Sequence, residues 1–170
     1  ALPRELVPRG RRSRNAASLA FAELARGRAH AFPVGVDIRV NGSPGDCLPR
    51  FFTTCARGDG ALYGRPEGMF SDLRKMLGTL HEIEVDHPDF DGVFLLRGHE
   101  PTLRAVLQRP VRLAMLRLGE LASRPPRLTV RRGVVELELG AVRPMETIID
   151  LAVEILEVVR EAPSRAIFRG

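Results

Sequence analysis

With 170 residues, 44% hydrophobic and 28% charged, the chain has the size and balance of one globular domain with a sizeable core. No run approaches the roughly 18 apolar residues that span a bilayer, and the arginine-rich start lacks the apolar block of a signal peptide. The net charge of +5 lies in residues 1–28, where seven arginines face two glutamates, and residues 29–170 balance to neutrality.

These properties exclude several chemistries. Lys75 is the single lysine, so no Gly-Lys-Ser/Thr phosphate loop exists, and nothing around Lys75 suggests the desolvation a Schiff-base lysine needs. Arginine otherwise replaces lysine throughout, a skew that coding bias explains more simply than phosphate recognition. Cys47 and Cys55 are too few for a disulfide-stapled scaffold; they read as unpaired, buried thiols, with a small disulfide loop across their eight-residue offset as the alternative. The first residue is Ala1, not Met, so the sequence is read as a candidate fragment, with a membrane anchor or another domain as what would lie upstream. As it stands, a cytoplasmic location is expected, with contact to the membrane surface as a variant.

In chain order, residues 1–12 read as a basic flexible arm, and residues 13–170 as one α+β domain. The alanine-rich segment that follows the arm predicts a helix over 14–26, stopped by Gly27. Alternation of Val34, Val36, Ile38 and Val40 predicts a strand over 32–40, and residues 47–56 a second. The RGDG stretch at 57–60 is ordinary turn chemistry. Met69, Phe70, Leu73, Met76 and Leu77 at helical spacing predict a short core-facing helix ended by Gly78. Residues 80–86 and 92–98 read as strands. Two helices follow, separated because Pro110 would break a continuous one. A hairpin turning at Arg131–Gly133 comes next, then a helix in which Glu146, Asp150, Glu154, Glu157 and Glu161 form one acidic edge on an apolar cylinder. The order α-β-β-α-β-β-α-α-β-β-α predicts a single α+β domain with a mainly antiparallel sheet and packed helices.

The segment DHPDFDGVFLLRGHEP, residues 86–101, is richest in candidate ligands. A hairpin turning at Pro88–Asp91 would set Val85 opposite Phe94, Ile83 opposite Leu96 and Glu82 opposite Arg97. It would also hold His87 and His99 on the order of 20–25 Å apart, too far to share a metal. His87, Asp89 and Asp91 offer too few oxygens for a hard cation and read as turn residues. His81, His99 and Glu100 remain as a weak candidate zinc set at the other end, against the commoner reading of histidines at a core edge. The PDFD stretch lacks the downstream lysine a nuclease of that pattern needs. No nucleophile elbow, HExxH, CxxC pair or dinucleotide glycine motif occurs. No cofactor and no catalytic residue is expected.

Phe90, Asp91, Phe94, Gly98, Leu107 and Pro110, followed by the hairpin at Leu128–Leu139, occupy a recognisable pattern. Over residues 86–140 the chain resembles an uncharacterised bacterial domain family, usually described as membrane-anchored, with an aromatic-acid-x-x-Phe strand and a helix ending in L-L-x-P. The chain departs from that family in carrying no membrane segment. The resemblance implies a fold region and no activity.

The expected function is a non-enzymatic interaction or structural domain of a bacterial protein. Arg9, Arg11, Arg12 and Arg14 are the expected partner-binding residues, toward an anionic membrane surface or an acidic protein. Nucleic-acid binding through the same arm is one alternative, opposed by the neutral body and a single tyrosine, Tyr63. A metal-dependent enzyme using His81, His99 and Glu100 is the other. The sequence does not fix the oligomeric state.

Overall fold

The computed structural model describes residues 23–28, 32–40, 47–55, 60–64, 83, 85–98, 100–143 and 145–161. Their fold is α+β, built on a six-stranded antiparallel sheet in the order β1-β2-β6-β5-β3-β4. The strands are β1 Gly35–Val40, β2 Cys47–Thr54, β3 Gly60–Gly64, β4 Phe94–Gly98, β5 Arg127–Arg131 and β6 Val134–Glu138. The helices are α1 at 23–28, α2 Pro88–Val93, α3 Glu100–Val106, α4 Arg109–Leu121 and α5 Glu146–Glu161. The expected arm at 1–12, most of the expected first helix and the expected helix before Gly78 lie outside the described residues.

Strand alternation sorts the sheet into two faces. Phe51 and Thr53 of β2 lie opposite Leu137 and Val135 of β6, which lie opposite Leu128 and Val130 of β5. All six are buried, so this face is the core face, and Phe94 and Leu96 of β4 extend it. The hydroxyl of Thr53 is satisfied by donating to the Pro33 carbonyl at 2.8 Å. The hairpin between β5 and β6 turns through Arg132 and Gly133, at φ 51° and 76°. Two successive left-handed residues make the tight turn whose twist matches its strands, which is why glycine is suited to the second position.

Helix α5 covers the core face. Its buried positions are Ile148, Ile149, Ala152, Val153, Ile155, Leu156 and Val159, while Glu146, Asp150, Glu154 and Glu161 are exposed along the expected acidic edge. Helix α4 lies beside it with Val111, Ala114, Met115 and Leu118 buried, the i, i+3, i+4, i+7 pattern of a single apolar stripe. Pro110 at the second helical position of α4 has no N–H to give and would obstruct an unbroken helix, so α3 ends at Val106 and α4 begins afresh. The segment leading into β1 closes the remaining side. Ala25, Phe32 and Val34 are buried, and the Arg160 guanidinium lies 5.3 Å over the Phe32 ring.

The expected hairpin of 80–86 against 92–98 is not what forms. Ile83 and Val85 lie outside any strand, residues 88–93 are helical, and β4 pairs instead with β3, Leu96 opposite Leu62 and Arg97 opposite Ala61. Strand β3 itself was not expected. Helix α1 also continues through Gly27 to Arg28.

Gly140 sits where the chain leaves β6, in a crevice closed by two hydrogen bonds. Ser123 N–H donates to the Ala141 carbonyl at 2.9 Å, and Ala141 N–H donates to Ser123 Oγ at 2.8 Å. A Cβ on Gly140 would stand 2.8 Å from the Arg124 backbone nitrogen and 2.6 Å from its Cγ. Gly119, inside α4, has no neighbour nearer than 3.7 Å to the equivalent point. Gly140→Ala is therefore expected to destabilise by roughly 1–3 kcal/mol, and Gly119→Ala to stabilise by up to about 1 kcal/mol. Urea unfolding of the two variants checks both signs.

Candidate functional site

Residues 85–91 gather three aspartates and a histidine, and the structure assigns most of them to the backbone. Asp86 takes the left-handed conformation, φ 57°, which turns the chain before α2. Both oxygens of Asp91 are used: Oδ1 accepts from the Val85 N–H at 3.1 Å and Oδ2 from the His87 N–H at 2.9 Å. His87 caps the helix. Its Nδ1 accepts from the Phe90 N–H at 3.3 Å, so the proton of the neutral ring sits on Nε2. Pro88 opens the helix and Asp89 and Asp91 lie in its first turn, where acids favour the positive end of the helix dipole. This brace aims Phe90 inward, stacked at 4.6 Å against Phe94 at the start of β4. The aromatic and acidic positions of the family resemblance thus lie on a short helix and not on a strand.

The other candidates divide. Glu100 is exposed and accepts from Arg104 Nε at 2.8 Å, and Arg104 also pairs with Asp86 at 3.5 Å. His81 and His99 lie outside the described residues. Among the described residues no group of three or more His, Cys, Asp or Glu side chains is placed to hold a metal. Cys47 opens the extended β2 and Cys55 directly follows its last residue, about 26 Å away at ~3.3 Å per residue, so no bridge joins them. Burial pushes the Cys55 thiol pKa up, away from the reactive thiolate.

Two charged surfaces remain. On the outer face of the sheet Arg50 of β2 donates to Asp37 of β1 and to Glu136 of β6, each at 3.1 Å, and Arg127 of β5 pairs with Glu138 of β6 at 3.7 Å. Partial burial opposes the charge on Arg50, but the hydrogen bonds and attraction of Glu136 and Asp37 outweigh it and hold the guanidinium pKa above its ordinary value. Phe52 adds an apolar side chain to this face and lies across Gly35, where a Cβ would meet the ring at 2.1 Å. The second surface is the acidic edge of α5. Arg28, at the end of α1, pairs with Glu146 at 3.0 Å and Asp150 at 3.5 Å. Arg9, Arg11, Arg12 and Arg14 lie outside the described residues. The acidic edge is legible in the sequence, whereas Arg28 as its partner and the charge ladder on the sheet are not, since they require the packing of α1 and the strand order.

No family model, curated protein or solved structure matches the chain. Among the described residues no helix is long and apolar enough to cross a membrane.

If the 85–91 stretch is a brace, losing Asp91 costs stability. Asp91→Ala is expected to cost roughly 2–4 kcal/mol, because two backbone N–H groups lose a charged acceptor, and His87→Ala about 1 kcal/mol as a cap. Equal stability of Asp91→Ala and the parent in urea unfolding would contradict the assignment.

Proposed function

We propose that the protein is a non-enzymatic interaction domain whose N-terminal basic segment contacts an anionic surface, with Arg9, Arg11, Arg12 and Arg14 as the contacting residues. One observation carries the reading: the whole positive surplus lies in residues 1–28. The last arginine of that segment, Arg28, acts as an ion-pair donor to two carboxylates of α5. Arginines upstream of it bring the same chemistry toward lipid headgroups or an acidic partner, and each near an anionic surface contributes about 1 kcal/mol.

Vesicle co-sedimentation tests it, comparing phosphatidylcholine alone with phosphatidylcholine containing phosphatidylserine. The parent protein should bind the anionic vesicles only. Replacing all four arginines by alanine should weaken binding by about 4 kcal/mol, on the order of a thousand-fold at low salt, and rising salt should weaken the parent alike. Undiminished binding by the four-alanine variant would overturn the proposal. Displacement of the parent from vesicles by single-stranded oligonucleotide at lower concentration than by phosphatidylserine vesicles would favour nucleic acid in its place.

A further inference from the structure

Strand β1 is one edge of the sheet, and its free side has a defined hydrogen-bonding pattern. In β2 the odd-numbered residues turn their backbone groups toward β6. Leu139 N–H donates to the Pro49 carbonyl at 3.1 Å, Cys55 N–H donates to the Gly133 carbonyl at 2.9 Å, and Cys47 exchanges two bonds with Val142 at 2.9 Å. Backbone groups alternate sides along a strand, so Leu48, Arg50 and Phe52 face β1. Their register partners are Arg39, Asp37 and Gly35, which therefore bond back to β2. Val36, Ile38 and Val40 are left with N–H and C=O groups directed away from the sheet.

Among the described residues nothing pairs with this edge. It carries no proline and no lysine over its six residues, Gly-Val-Asp-Ile-Arg-Val, and its charges are one of each sign, Asp37 and Arg39. Val36 and Ile38 are only half-buried on the core face, because the core layer ends with them. Asp37 and Arg39 lie on the outer face. Asp37 uses Oδ2 for Arg50, and Arg39 is exposed with no ion pair among the described residues.

The order of these residues is complementary to itself. When β1 is laid antiparallel on a second β1 with the two-fold axis at Ile38, Ile38 meets the partner's Ile38 and Val36 meets the partner's Val40. Both are hydrogen-bonding positions on the free side, so about six backbone bonds form. In the same register Asp37 falls opposite the partner's Arg39, and Arg39 opposite the partner's Asp37. These are the non-hydrogen-bonded positions, where cross-strand side chains approach most closely. The apolar row of each core face then continues into the next subunit. The other edge, β4, has no such property: antiparallel on itself about Leu96, it sets Leu95 opposite Arg97. A symmetric pairing of this kind closes on itself and does not propagate.

We propose that β1 is the dimerisation edge of this protein, pairing with β1 of a second copy about a two-fold axis at Ile38. The inference does not depend on the basic arm. The outward chemistry that recognises the partner is a strand edge with one carboxylate and one guanidinium in mirrored order.

Sedimentation equilibrium of the full chain, from micromolar to millimolar protein, tests it with two variants. The parent should show a concentration-dependent monomer–dimer equilibrium. Arg39→Glu replaces two opposite-charge pairs with two like-charge pairs and should raise the dimer dissociation constant about ten- to a hundred-fold. Ile38→Pro removes a donor that points away from β2, so the β1–β2 ladder persists while the dimer is lost. Far-ultraviolet circular dichroism reports whether the fold survives, and Arg39→Glu decides the matter should Ile38→Pro unfold. A parent that stays monomeric at millimolar concentration would overturn the proposal. So would a folded Arg39→Glu variant that dimerises as tightly as the parent.

Discussion

Burial of α5 is the interaction on which the rest of the structure depends. Apart from its acidic edge the helix is apolar almost all round, so one covering layer is not enough. The sheet takes one side through β2 and β6, α4 takes a second, and on a third the Phe32 ring lies beneath Arg160. Each fully buried isoleucine or leucine contributes roughly 1.5–3 kcal/mol, which makes α5 the largest apolar contributor among the described elements. The acidic edge is the exception that fixes the helix's rotation. Turning α5 about its axis would bury carboxylates, and Arg28 reinforces the observed setting from outside.

Charged side chains in this protein are spent largely on holding geometry. Asp91 and His87 shape α2 and so place Phe90 against Phe94, which anchors β4 on the core face. Arg50 ties β1 and β6 to β2 from the opposite face, where apolar packing is sparse. The two proposals rest on surfaces: a basic segment with the whole charge surplus, and a strand edge that nothing pairs with among the described residues. These two are physically independent. The first proposal invokes salt-sensitive attraction to anions, the second backbone pairing.

Much of the fold was legible because it rests on periodicity. The acidic edge of α5, the alternation in β1 and the β5–β6 turn at Arg132–Gly133 are local patterns, and they form where expected. Pro110 separated α3 from α4 by a local backbone rule. Strand β3 was not legible, because GALYG has glycine at both ends and is extended through pairing with β4 on one side and β5 on the other. Ile83 and Val85 misled in the opposite way: they alternate with polar residues, yet Pro88 and the acids beside it start a helix three residues later. Asp91 could be seen as an acid but not as a backbone acceptor, since that role depends on the left-handed bend at Asp86. The self-complementary order of β1 is visible in the sequence, but only the sheet topology shows that β1 is an edge.

The claim that α5 organises the molecule is most directly tested by native-state hydrogen exchange along its amides. The account predicts that Ile155 and Leu156 exchange only through global unfolding, with an opening free energy equal to that from urea denaturation. Exchange of these amides through a smaller opening, while Val135 and Leu137 in β6 stay protected, would contradict it. That outcome would mean that the sheet holds together without the helix.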